Sequence, residues 1–146
     1  MTFKFERIAL FGADGQIGNS ILEALLQCDK QEFTILAFIP PGSELSSGKS
    51  DPRVTIKEFS IEALSKETLR GELLGVDVVI SALNGKALEA QTTIQDAAAG
   101  AHVRRYYPSE YGMHSIYRKP GDPQGYIHPV RLPFEFSRIS DSRRFV

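Results

Sequence analysis

The chain has 146 residues, of which 42% are apolar, 10% aromatic and 24% charged. This length and balance predict one ordinary globular domain and exclude disordered, collagen-like and coiled-coil proteins. Seventeen basic residues nearly balance 18 acidic ones, so the net charge of −1 gives no general attraction to nucleic acid or to an anionic membrane. A single cysteine, Cys28, excludes a disulfide framework and a multi-thiolate cluster, and we predict no metal site.

No segment has the features of a membrane span or of a targeting signal. Apolar runs such as Ile35 to Pro41 are far shorter than the ~20 residues that cross a bilayer. The start of the chain lacks the charged and apolar regions of a signal peptide. We therefore expect a cytoplasmic protein without nucleic-acid or membrane partners.

In the first part of the chain, apolar runs with strand character alternate with helical spacing. We predict strands over residues 8–11 and 33–39, and a third over 54–59 that lies at a sheet edge. Residues 16–27 have the spacing of a helix. One apolar stripe of this helix is expected to be buried: Ile17, Ile21, Ala24, Leu25 and Cys28.

The second part of the chain continues this alternation. Ser65 is predicted to cap a helix over residues 66–74 that buries Leu69 and Leu73, and a strand follows over 76–81. A further helix over 85–99 ends at Gly100, and His102 begins a fifth strand over 102–107. The apolar stripe of that helix comprises Ala90, Ile94, Ala97, Ala98 and Ala101.

Five strands alternating with helices predict a doubly wound, parallel α/β sheet with right-handed crossovers. We expect this domain to occupy residues 1–112. Prolines and glycines recur after it, so residues 113–146 are predicted to form an irregular segment.

Three glycines, Gly12, Gly15 and Gly18, lie between the first strand and the first helix. Gly12 permits a tight turn, Gly15 lets backbone N–H groups approach a pyrophosphate, and Gly18 lets the helix lie close to the strand. The N-terminus of the helix adds a partial positive charge. This context predicts a dinucleotide site, and the alternative is a tight β–α connection that binds nothing.

The sequence gives only a weak indication of whether the dinucleotide is NAD or NADP. An acidic residue after the second strand would hold the ribose 2′-hydroxyl of NAD, and an arginine would hold the 2′-phosphate of NADP. This strand ends at Pro40 and Pro41, which provide neither. Lys49 and Arg53 in the following loop are candidates to reach a phosphate, and the alternative is a solvated surface.

Three motifs occur in the same order as in one known family. They are the glycine turn, residues 76–83 and the hexapeptide Tyr107-Pro108-Ser109-Glu110-Tyr111-Gly112. With them, the segment from about Arg7 to Pro129 resembles the NmrA-like and isoflavone-reductase-like family, which are atypical short-chain dehydrogenases. The resemblance implies a Rossmann-like domain that binds NADP(H), with NAD left open. It also implies hydride transfer to a small substrate such as a phenolic compound. The alternative is a dinucleotide-binding regulator without turnover or a degenerate, truncated fragment.

The same resemblance assigns residues to the site. Residues of the glycine turn would hold the pyrophosphate: Gly12, Gly15, Gln16, Ile17 and Gly18. Residues after the fourth strand would lie along the ribose: Ala82, Leu83 and Asn84. Residues after the fifth strand would line the nicotinamide and substrate end: Pro108, Ser109, Glu110 and Tyr111. The alternative for this last group is a capped turn in which Ser109 or Glu110 bonds the backbone.

The chain departs from the family pattern in three ways. Pro40 replaces the family arginine, and residues 127–134 contain no lysine where family enzymes place a catalytic one. No tyrosine is followed four residues later by lysine, so we assign no catalytic residue. Whole family members are longer, and the tail from Val130 diverges. We therefore expect a sheet truncated at its C-terminal end, with marginal stability or self-association.

Overall fold

A computed structural model describes residues 4–109, which form a five-stranded parallel sheet with helices on both faces. The strands are β1 (Arg7–Phe11), β2 (Thr34–Ile39), β3 (Val54–Glu58), β4 (Val78–Ser81) and β5 (Arg105–Tyr107). The helices are α1 (Gln16–Leu26), α2 (Lys66–Glu72), a 3-10 helix (Gly85–Ala90) and α3 (Gln91–Gly100). The predicted irregular segment 113–146 lies outside the described residues.

The strands lie in the order β3-β2-β1-β4-β5, which is the order of the Rossmann fold. The prediction of a doubly wound parallel sheet with β3 at an edge is therefore confirmed. Asp77 ties the start of β1 to β4, because its Oδ2 accepts hydrogen bonds from the N–H groups of Glu6 and Arg7, both at 2.9 Å.

Alternate residues of the central strands bury two separate hydrophobic layers. Phe11 and Phe38 face α2 and α3, and their rings stack with centroids 4.2 Å apart. Leu10 and Ile35 face α1, where they pack with Leu22. Strands covered on both faces are continuous apolar runs, which is why β1 and β2 were predictable.

The buried face of α1 differs from the predicted stripe. Ile17 is 43% exposed and Ala24 is exposed, whereas Gly18 and Leu22 are buried. Gly18 lies against the backbone of Gly12 and Ala13, and this contact sets the rotation of the helix. Cys28 lies beyond the end of α1 and is half-buried, not fully buried as expected.

The chain between β4 and β5 also differs in detail. The predicted single helix is a 3-10 helix followed by α3, although its whole predicted stripe is buried. His102 does not begin β5, because it has a left-handed φ of 59° and ends α3. The N–H of His102 donates to Ala99 and that of Val103 to Ala98, which is the Schellman pattern normally built on glycine.

Helix α2 follows the prediction closely. The hydroxyl of Ser65 accepts a hydrogen bond from the N–H of Thr68, and Leu69 and Leu73 are buried. Every helix within residues 4–109 falls short of the length and apolar character needed to cross a membrane.

Candidate functional site

A cleft of about 290 Å³ opens at the carboxyl ends of the central strands. This is the edge at which open α/β sheets bind their ligands. Its walls come from Gly12, Asp14 and Gly15 after β1, Pro40 and Pro41 after β2, residues 59–62 after β3, and residues 82–84 with Ala87 after β4.

Two of the three glycines are required by the fold itself. Gly12 has a left-handed φ of 79°, and a β-carbon there would lie 2.8 Å from the carbonyl oxygen of Ala82. A β-carbon on Gly18 would lie 1.9 Å from the carbonyl oxygen of Gly12. Both glycines let the turn, the strand and α1 approach more closely than any other residue would allow.

Gly15 differs from the other two because no contact within the protein requires a glycine there. Its φ of −77° is accessible to any residue, and a β-carbon would only reach ordinary contact with Gly12 oxygen at 3.4 Å. Yet Gly15 lines the cleft, so a side chain there would project into space that the protein leaves open. The missing side chain therefore leaves an open cradle beside the start of α1.

The start of α1 provides the donors for that cradle. Gly15 is the N-cap and offers no side chain to bond the free N–H groups of the first turn, which also contains no acidic residue. The first hydrogen bond of the helix is donated by the N–H of Asn19 to the carbonyl oxygen of Gly15. Backbone donors and the helix dipole thus remain available to an anion, and the residues present fit a diphosphate.

The remaining predicted residues of the glycine turn do not line the cleft with their side chains. Gly18 is buried beneath the turn, while Gln16 and Ile17 are exposed at the start of α1. Any contribution of these three to ligand binding comes through backbone N–H groups. Ala82, Leu83 and Asn84 all line the cleft, with Ala82 and Leu83 buried and Asn84 exposed.

A buried amide joins this wall to the segment after β5. Gln91, at 1% exposure, accepts hydrogen bonds on Oε1 from the hydroxyl of Ser81 at 2.9 Å and from the N–H of Ser109 at 3.0 Å. The hydroxyl of Ser109 donates to the carbonyl oxygen of Leu83 at 2.6 Å. Gln91 and Ser109 together fix the position of Leu83 in the cleft wall.

The structure describes two of the four predicted substrate residues, Pro108 and Ser109. The hydroxyl of Ser109 bonds the backbone of Leu83, 26 residues earlier in the chain, and neither Ser109 nor Pro108 lines the cleft. Glu110 and Tyr111 lie outside the described residues.

Neither predicted phosphate-binding cation reaches the cleft. Arg53 binds Asp51 at 2.8 Å and the carbonyl oxygen of Leu26 at 3.2 Å, at the amino end of β3. Hydrogen bonds from Arg53 lower the pKa of Asp51, and the pKa of Arg53 is raised in turn. Lys49 pairs with Glu44 at 3.0 Å. Because neither residue lines the cleft, the described structure gives no support to the hypothesis that either binds a phosphate.

Sequence reasoning missed part of the cleft. Asp14 lies inside the glycine turn, and Ser60, Ile61 and Glu62 follow β3. The parallel direction of β3 contained the necessary signal, because the carboxyl ends of parallel strands share one edge. Among residues 4–109, no three His, Cys, Asp or Glu side chains gather closely enough to hold a metal ion.

Comparison with known proteins agrees with this geometry. A model of the NmrA-like family matches residues 4–128. The chain is 34% identical to the oxidoreductase aprR of Aspergillus flavus over 106 residues, covering 73% of this chain and 34% of that protein. It is 33% identical to isoeugenol synthase 1 of Clarkia breweri over 124 residues, covering 81% and 38%.

Among solved structures, the fold is similar to leucoanthocyanidin reductase of Vitis vinifera in its binary complex with NADPH. The TM-score is 0.69 at 20% identity, and the match covers 95% of this chain and 47% of the reductase. The chain spans about a third to two fifths of the length of the curated relatives it matches. With a family model matched over most of its length, the chain belongs to the NmrA-like family.

Proposed function

We propose that the cleft binds a nicotinamide dinucleotide and that the chain is the cofactor-binding part of an oxidoreductase. The observation that carries this proposal is the open space at Gly15, beside the uncapped start of α1. The fold needs glycine at positions 12 and 18, whereas a side chain at position 15 would meet no clash within the protein. Relatives named oxidoreductase and dehydrogenase support the same class.

Each wall of the cleft has a distinct task in this proposal. The backbone N–H groups of the first turn of α1 neutralise the diphosphate, which Gly15 lets approach closely. Ala82 and Leu83 supply an apolar wall, and Asn84 supplies amide donors and acceptors for ribose hydroxyls. When bound, the cofactor supplies the hydride that a reductase transfers to a small substrate, such as a phenolic compound.

The buried link between Gln91 and Ser109 has a positioning task. It connects β4 and α3 to the segment after β5, where the substrate end of the cofactor is proposed to lie. Movement of this link would displace Leu83 and change the width of the cleft.

Calorimetric titration of the chain with NADH and NADPH tests the proposal. We expect saturable binding at one site per chain, competed by ADP-ribose but not by adenosine, which lacks the diphosphate. Oxidation of the reduced cofactor is then followed with a panel of enones and phenolic compounds. Failure of both dinucleotides to bind would overturn the proposal.

A dinucleotide-binding regulator without turnover is the second candidate. The absence of lysine from residues 127–134, where the family resemblance places a catalytic one, favours it. Saturable binding without oxidation of the cofactor by any compound of the panel would select this function.

A further inference from the structure

We infer that the cleft selects NAD(H) over NADP(H), an inference that rests on the proposed dinucleotide site. The two cofactors differ by one phosphate on the adenosine ribose. In this fold, that ribose is recognised by residues just after β2. Pro40, Pro41 and the loop after β3 form this end of the cleft.

The charge of the cleft disfavours an additional phosphate. Its two ionisable lining residues, among those the structure describes, are Asp14 and Glu62, and both are acidic. None of the lysines or arginines in residues 4–109 lines the cleft. Within the described part of the chain, a 2′-phosphate would therefore meet carboxylates without a compensating cation.

The two residues directly after β2 offer no backbone donor in place of the missing cation. Pro40 and Pro41 have no N–H groups to donate. The next residues form a turn in which the N–H of Ser43 donates to the oxygen of Pro40 at 3.1 Å, and Gly42 has a φ of 81°. Proline followed by a glycine with positive φ is the pattern of a type II turn, which fixes this wall.

The two cationic residues of the loop between β2 and β3 already pair with other groups. Arg53 is held by Asp51 and by the carbonyl oxygen of Leu26, and Lys49 is paired with Glu44. Moving Arg53 to the cleft would break a bidentate pair with Asp51. Glu62 is exposed and forms no ion pair with any residue between 4 and 109, so it is the acidic residue best placed to reject the phosphate.

Titration of the chain with NADH and NADPH under identical ionic strength tests the inference. We expect NADH to bind roughly tenfold more tightly, because like charges disfavour NADPH. Glu62→Gln should raise NADPH affinity about threefold and Pro40→Arg about tenfold, with little change for NADH. Glu32→Gln removes the same charge just before β2, outside the cleft, and should leave the preference unchanged.

The possible results separate this inference from the proposed function. Equal or tighter binding of NADPH by the unmodified chain would overturn the inference while leaving the dinucleotide site intact. If neither Glu62→Gln nor Pro40→Arg changed the preference for NADH over NADPH, the role of these residues in cofactor selection would be overturned. Binding of neither dinucleotide would overturn the proposed function, and the inference with it.

Discussion

A β-carbon on Gly18 would lie 1.9 Å from the carbonyl oxygen of Gly12, so α1 packs against the glycine turn more closely than any side chain permits. Gly18→Ala must push the helix away from β1, and we expect a loss of about 1–3 kcal/mol in the free energy of unfolding. Denaturant unfolding measures this loss.

Gly71 provides the matched control for Gly18. It also lies in a helix, but a β-carbon there would contact nothing within 4 Å. Gly71→Ala should therefore stabilise the protein by roughly 0.5–1 kcal/mol, because alanine loses less entropy in a helix. Equal effects of the two substitutions would contradict the close approach.

Alanine substitutions at Gly12 and Gly42 distinguish the cost of backbone strain from the cost of steric overlap. Both have left-handed φ angles, 79° and 81°, but only Gly12 has a neighbour, Ala82 oxygen, within 3 Å of an added β-carbon. Gly42→Ala is expected to cost about 1–2 kcal/mol through strain alone. Gly12→Ala should lower the stability measured by thermal unfolding by more than this. A smaller loss for Gly12→Ala than for Gly42→Ala would contradict the steric overlap with Ala82.

The amide of Gln91 should matter for stability because both of its partners are buried. Gln91→Met keeps the size of the side chain but leaves the Ser81 hydroxyl and the Ser109 N–H without their acceptor. We expect a loss of about 2 kcal/mol in chemical denaturation. Gln27→Met, at the exposed end of α1, is the control and should change stability by under about 0.5 kcal/mol. A silent Gln91→Met would exclude the proposed link.

The end of α3 offers a stabilising substitution. His102 adopts a left-handed φ of 59° that glycine accepts without cost. His102→Gly should raise the free energy of unfolding by about 0.5–1 kcal/mol, whereas His102→Ala keeps the strain and should not. If alanine stabilised the protein as much as glycine, the gain would not come from this backbone angle.

The parallel sheet and the tight glycine turn were predictable because their signals are local. Strands buried on both faces are continuous apolar runs. The three glycines Gly12, Gly15 and Gly18 lie a few positions apart, where a strand gives way to a helix. Ser65 and the apolar residues of α2 likewise lie within a few positions of one another.

The errors arose where contacts that hydrophobic periodicity does not report decide the structure. The face of α1 is set by contact of Gly18 with the turn, and periodicity alone placed Ile17 inside. His102 has a left-handed φ within the hydrogen-bonding pattern that closes α3, in which the N–H groups of His102 and Val103 donate to Ala99 and Ala98. Glu62 reaches the cleft only because β3 is parallel to β2, and Gln91 is buried by its bonds to two separated segments.

One comparison decides whether a diphosphate binds beside Gly15. The affinity for NADH is measured for the unmodified chain and for Gly15→Ala, and thermal unfolding is measured for both proteins. A methyl group at this position meets no close contact within the protein, so the unfolding temperature should change little. We predict that NADH affinity falls by at least about tenfold, because the methyl group obstructs the approach of the phosphates to the N–H groups of α1. Undiminished NADH binding by a folded Gly15→Ala variant would contradict the assignment of the glycine turn as the cofactor site.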